Sequence, residues 1–136
     1  MARLEAIRTA NTLGEIVIGD DCVIHPFVHI GASLSVTIGK KCLFASGVYV
    51  TDHDHDWTNP DVPVIDSSKL LAAPVVIGSG VWLGERVAIL KGVSIGDGAI
   101  IGTGAVVTKD IPSYSIAVGS PARVVKQYDR DAKRWK

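Results

Sequence analysis

The sequence predicts an all-β chain, folded as a stack of triangular coils of short parallel strands. Three observations predict it. Ile and Val together number 32 of the 136 residues against 8 Leu, a balance that suits pleated surfaces rather than helices. From Ile18 onward an aliphatic or aromatic residue recurs every six positions, in twelve units. The next residue is Gly in seven of the twelve. A six-residue unit is one strand and a turn, too small to bury its own apolar residue, so units must stack.

In chain order, residues 1–17 form an N-terminal cap, with Leu4 and Ile7 three apart in it. The units then open at Ile18, Ile24 and Ile30, at Ile38, Phe44 and Val50, at Ile77, Leu83 and Ile89, and at Ile95, Ile101 and Val107. Three units per coil give four coils, a prism roughly 20 Å tall at ordinary strand spacing. The fifth position of each unit is small and mostly apolar: Cys22, Val28, Leu34, Cys42, Val48, Val81, Val87, Val93, Ala99, Ala105 and Ile111. Stacking puts Cys22 and Cys42 on one face a coil apart, close to the roughly 4.4–6.8 Å that a disulfide spans, but the fifth position reads as packed core.

The repeat breaks twice. The step from Ile30 to Ile38 is eight residues, and that from Val50 to Ile77 is 27. Both breaks follow the third unit of a coil, so they fall at one corner of the prism. The longer one inserts a loop over residues 51–74, holding His53, His55, Trp57, five Asp and three Pro. A long loop in a regular stack is where function concentrates. The repeat region extends to residue 122. Residues 123–136 carry six basic and two acidic residues, and read as a short helix or strand-to-helix cap over the open end.

Length and composition describe one domain. Fourteen basic and fourteen acidic residues cancel, so nothing global attracts nucleic acid or an anionic membrane. No apolar run has the length of a membrane span, and residues 1–13 are too charged for a signal peptide, which makes the cytoplasm the expected compartment.

Three strings carry a resemblance to a known family. One is the loop Thr51-Asp-His-Asp-His-Asp-Trp57. The second is Gly80-Val-Trp-Leu-Gly-Glu85. The third is Ile95-Gly-Asp-Gly-Ala-Ile-Ile-Gly-Thr-Gly-Ala-Val-Val-Thr-Lys-Asp-Ile-Pro112, followed by Gly119-Ser-Pro-Ala-Arg123. With the six-residue period, they resemble the hexapeptide-repeat acyltransferases, in particular the maltose and galactoside O-acetyltransferase branch, over residues 18 to about 126. The resemblance implies a left-handed parallel β-helix, where general connection rules would favour right-handed crossovers.

It also implies an acetyl-CoA-dependent O-acetyltransferase acting on a hydroxyl of a sugar or sugar-containing small molecule. Acetyl-CoA is then a co-substrate, no metal is required, and active sites lie between the subunits of a homotrimer. A loop histidine is the general base, a role that suits imidazole because it titrates near ~6.5. His55 matches the family by register and His53 by the local Thr-x-His string. Asp52, Asp54 or Asp56 stands close enough in sequence to orient the ring. Trp82, Gly84, Glu85, Gly102, Thr103, Thr108, Lys109, Arg123 and Lys126 fall where the family holds coenzyme A, with Glu85 replacing the usual Ser or Ala. His25 and Ser33 stand where the galactoside branch has Asn and Asp, and with Asp52 and Trp57 they are the acceptor-binding candidates.

Other classes share the fold. A γ-type zinc carbonic anhydrase would draw on His25, His29, His53 and His55. Some branches acetylate the amine of an amino-sugar. A non-enzymatic ice-binding prism needs ranks of Thr along one face, which Thr37, Thr51, Thr103 and Thr108 do not form.

Overall fold

The computed structural model describes residues 1–136. The inward aliphatic residues stack in register and build three parallel sheets, the faces of a left-handed β-helix. The first face is Glu15–Ile18, Ser35–Ile38, Val75–Ile77 and Ser94–Ile95. The second is Val23–Ile24, Leu43–Phe44, Trp82–Leu83, Ile100–Ile101 and Ser115–Gly119. The third is Arg3–Ala6, His29–Ala32, Tyr49–Thr51, Ala88–Ile89 and Val106–Val107.

The register is the one the repeat predicts. Ile38 pairs with Ile18 and Ile77, Phe44 with Ile24 and Leu83, and Val50 with Ile30 and Ile89. The pairs Ile77–Ile95, Leu83–Ile101 and Ile89–Val107 complete the four coils. Twenty-four buried apolar residues form one cluster along the axis, so the prism has a single core. Ile111 departs from the count. It bridges to Ile95, four residues after Val107, and opens a partial fifth coil. Leu34 is only half-buried because it lies in the eight-residue step.

The glycine after the opening residue has a steric cause at the corner below the first face. A Cβ on Gly39 would stand 2.7 Å from the Gly78 carbonyl carbon, and one on Gly78 2.8 Å from the Asp97 nitrogen. The backbones approach that closely because Gly39 N donates to Ile77 O and Gly78 N to Ile95 O, both at 2.8 Å.

The N-terminal cap is part of the sheet. Arg3–Ala6 pairs parallel with His29–Ala32, placing Leu4 against Ile30. The chain then turns through a short hairpin bridged at Arg8 and Leu13. The tail forms strands and not a helix: Ala122–Asp129 runs antiparallel to Ser115–Gly119, and Arg134–Trp135 antiparallel to its end. The free edge of the second face offers unpaired backbone groups, and Val124 and Val125 favour strand, so edge pairing wins. Arg130 lies 4.5 Å over the Tyr114 ring, and Tyr128 meets Trp135 edge-on at 5.3 Å. The one helical element is the 3-10 turn Val64–Asp66, and no helix is long and apolar enough to cross a membrane.

Both cysteines are free thiols. Cys22 Sγ donates to Gly39 O at 3.2 Å and Cys42 Sγ to Gly78 O at 3.1 Å, each reaching one coil on. Burial pushes the Cys42 thiol above its ordinary range.

Phe44 is the largest wholly buried side chain and touches the coils on both sides through its neighbours in register. Phe44→Ala should cost about 3–5 kcal/mol of stability, measured as a lower midpoint of urea unfolding at fixed protein concentration.

Candidate active site

Both breaks in the repeat sit at the corner between the third and first faces, one coil apart, because His29–Ala32 pairs with Tyr49–Thr51. The loop that leaves the second coil is a two-stranded ribbon. His53–His55 runs antiparallel to Leu70–Ala72, with His53 opposite Ala72 and His55 opposite Leu70. Lys91 Nζ meets Asp54 Oδ2 at 2.9 Å and ties the ribbon to the following coil.

The Asp52 side chain is 0% exposed. Its Oδ1 accepts from Ser33 N at 2.8 Å and from the Ser33 hydroxyl at 3.3 Å, and its Oδ2 accepts from Leu34 N at 2.7 Å. The same Oδ1 lies 2.8 Å from His53 Nδ1. A buried carboxylate is tolerable only with such a set of donors. Since a carboxylate only accepts, the network assigns the proton to Nδ1 and leaves Nε2 with a free lone pair. The backbone of His53 is fixed by Thr51, whose Oγ1 donates to His53 O at 3.0 Å and accepts from His53 N at 3.3 Å. The ring lies over Gly31, where a Cβ would stand 3.5 Å from its Cε1.

His53 opens on a hollow of about 370 Å³ lined by Tyr49, His53, Asp54, His55, Trp57 and Val64. Trp57 is 62% exposed, so it is a wall of the hollow rather than a buried anchor of the loop. His55 is exposed and makes no side-chain hydrogen bond to a carboxylate. Asp56 does not reach either ring. It caps its own turn through Thr58 N at 3.0 Å and Thr58 Oγ1 at 2.6 Å, and these bonds hold its carboxyl below the usual range.

Three of the acceptor candidates do not line the hollow. Asp52 and Ser33 are buried against each other beneath His53, and face the protein rather than the hollow. His25 lies at another corner, its N donating to Phe44 O at 2.9 Å, and it does not line the hollow. Tyr49 was not singled out from the sequence. Its signal was the outward position just before Val50. Its ring lies 5.3 Å from that of His29, whose Nε2 is 2.9 Å from Glu5 Oε2. No group of three His, Cys, Asp or Glu side chains in the chain is placed to hold a metal ion.

The coenzyme candidates divide into two sets. Trp82, Gly84, Glu85, Gly102 and Thr103 belong to the corner after the second face, where a Cβ on Gly84 would be 2.7 Å from Thr103 N and Gly104 N donates to Glu85 O at 2.8 Å. Trp82 projects outward, half exposed. Lys109 and Arg123 meet over the end of the prism, where with Asp110, Ile111, Ala122 and Val124 they line a hollow of about 270 Å³. Thr108 is exposed next to Lys109, and Lys126 is exposed on the tail strand opposite Ile116.

Residues 74–109 match the bacterial transferase hexapeptide (six repeats) family, and residues 28–52 match the hexapeptide repeat of succinyl-transferase. Over these segments the chain is similar to hexapeptide-repeat transferases, in sequence and in its stacked coils. WbbJ of Escherichia coli strain K12, by name a lipopolysaccharide biosynthesis O-acetyl transferase, is 38% identical over 129 residues, which cover 90% of this chain and 65% of WbbJ. The hexapeptide-repeat acetyltransferase VCA0836 of Vibrio cholerae superposes with a TM-score of 0.75 at 28% identity, over 82% of this chain and 62% of its own. A galactoside acetyltransferase in complex with coenzyme A gives a TM-score of 0.72 at 29% identity, over 96% of this chain and 66% of its own. The chain therefore spans less than two thirds of the length of each of these relatives. The maltose and galactoside branch is one of several represented among them.

Removing the Asp52 carboxylate strands two buried N–H groups. Asp52→Ala should therefore lower stability by about 2–5 kcal/mol, while Asp52→Asn, which keeps an acceptor oxygen, should lose less. Chemical unfolding of the two variants against the parent chain measures the difference.

Proposed function

We propose that this protein transfers an acetyl group from acetyl-CoA to a hydroxyl of a sugar or sugar-containing small molecule, with His53 as the general base. The observation that carries the choice of base is the contact between His53 Nδ1 and the buried Asp52. His55 has no such partner, so the local Thr-x-His match is preferred over the register match. Support for acetyl-CoA as donor and a sugar hydroxyl as acceptor comes from relatives named as O-acetyl transferase and galactoside acetyltransferase, one of them holding coenzyme A.

In this reading the acceptor hydroxyl binds in the hollow beside Tyr49 and Trp57. Nε2 of His53 removes its proton as the oxygen attacks the thioester carbonyl carbon. Asp52 stabilises the imidazolium that forms and keeps the ring in place. The tetrahedral intermediate then collapses, the carbon–sulfur bond breaks, and the departing CoA sulfur takes the proton back from Nε2. The products are the acetyl ester and free CoA thiol. Lys109 and Arg123 supply cations for the CoA phosphates, and Trp82, Gly84 and Thr103 a narrow backbone-lined surface for its pantetheine arm.

The chain acts as a homotrimer in the same reading. On the second face Val23, Leu43 and Trp82 stand in register as an outward apolar row, each more than a third exposed in the single chain. Subunit packing would cover it and bring a second chain to the His53 corner.

His53→Ala should reduce acetyl transfer by roughly 10²–10⁴ while CoA affinity stays unchanged; His55→Ala should cost less than about tenfold. Thiol release from acetyl-CoA with a panel of sugar acceptors, together with titration of CoA, checks both. A larger loss in His55→Ala than in His53→Ala would reverse the assignment. Arg123→Ala should raise the acetyl-CoA KM with little change in kcat, and an unchanged KM would move the phosphate site elsewhere.

A further inference from the structure

The hollow in front of His53 has a neighbour that the proposed reaction does not use. A cleft of about 430 Å³ lies between the N-terminal hairpin and the far strand of the ribbon. Thr9 to Thr12 form one wall, Ser68, Lys69, Leu70 and Ala72 the other, and Ser33 and Leu34 lie between them. The two hollows share the ribbon. His53 and His55 border one, and their register partners Ala72 and Leu70 border the other. Antiparallel partners stand about one strand spacing apart, ~5 Å. They also share a foundation, because Asp52 Oδ1 contacts Ser33 on the cleft side and His53 on the hollow side, at 2.8 Å in each case.

The cleft is built from neutral hydrogen-bonding groups. Thr12 Oγ1 donates to Ser33 O at 3.0 Å and pairs with Thr9 Oγ1 at 2.7 Å, which fixes the hairpin wall against the coil. The Asn11 carboxamide and the Ser68 hydroxyl make no side-chain hydrogen bond within the chain and stand exposed at the two walls. The only charged side chain in the lining is Lys69, and there is no aromatic. Amide and hydroxyl groups at this density match the hydroxyls of a sugar, and match a flat apolar ligand or a highly charged one poorly.

We propose that this cleft is a second saccharide subsite, so that the acceptor is an oligosaccharide or glycan chain: one residue presents its hydroxyl to His53 and an adjoining residue lies between Asn11 and Ser68. The proposal rests on the sugar-acceptor reading above and narrows its substrate class. Binding energy gathered in the cleft holds the reacting residue at His53, so chain length should appear in kcat/KM.

The test compares monosaccharide and tetrasaccharide of the same sugar in acetyl-CoA-dependent thiol release. Suitable pairs are glucose with maltotetraose, N-acetylglucosamine with chitotetraose, and sialic acid with its tetramer. For the sugar that is acetylated, the tetrasaccharide should exceed the monosaccharide in kcat/KM by about tenfold or more. Ala10→Trp, which fills the cleft from an exposed position, should bring that ratio close to one and leave the monosaccharide rate unchanged. Asn11→Ala combined with Ser68→Ala should lower the ratio without filling anything. Equal rates for monosaccharide and tetrasaccharide, or a ratio that survives Ala10→Trp, overturn the subsite alone. Transfer to simple alcohols or amines but to none of the sugars overturns the sugar-acceptor reading and the subsite with it.

Discussion

The structure depends on one constraint: every inward residue must land on its counterpart in the coil before it. A single coil of this chain has no core of its own. Ile38 is buried because Ile18 and Ile77 pair on either side of it, and the same holds for Phe44 and Val50 on the other faces. A shift of one residue in any strand would turn its apolar side chain outward. Extra residues can therefore enter only where a strand has ended, at a corner, and the next strand must resume in phase. Both breaks obey this. After eight residues in one case and 27 in the other, the first face resumes with Ile38 and Ile77 in register.

The same constraint separates parts that hold the fold from parts free to do chemistry. Inside the prism the packing is nearly all aliphatic, and its polar backbone is consumed by pairing between coils. The imidazole that contacts a buried carboxylate stands where the stack is interrupted. His53 belongs to the ribbon but stands on the last coil residues before it, Thr51 and Asp52, both buried. A side chain on a mobile loop would lose its orientation. This one is held at the root of the loop, on a part of the chain that the core fixes.

Much of this was legible in the sequence, for a specific reason. A six-residue period with glycine at the second position has few physical solutions, and it named the register of all four coils and the corner that carries the insertion. The parts that were not legible are those decided by contacts between segments distant in the chain. Which ring reaches a buried carboxylate is one such contact: it is His53, whereas counting along the strand pointed to His55. Asp52 read both as one of three aspartates able to orient a ring and, with Ser33, as an acceptor contact, because nothing in the sequence shows that Asp52 and Ser33 meet beneath His53. The tail composition allowed a helix, and the free edge of the second face made it a strand. Tyr49 was an outward residue like many others until the ribbon folded back and made it a wall.

The two breaks in the repeat are best understood as one device. The eight-residue step leaves the N–H groups of Ser33 and Leu34 without a backbone acceptor, and both point to the place where the next coil arrives. The next coil brings Asp52 to that place, immediately before its own break. Without the shorter step, the buried carboxylate would lack two of its donors, and the cost of an uncompensated buried charge is several kcal/mol. Without Asp52, those N–H groups would be stranded in turn, and His53 would have nothing to fix its tautomer. The two extra residues between Ile30 and Ile38 thus stabilise the group that orients His53 one coil later. A long loop alone would have given this corner space for a ligand. It is the short irregularity beneath it that gives the corner an oriented imidazole.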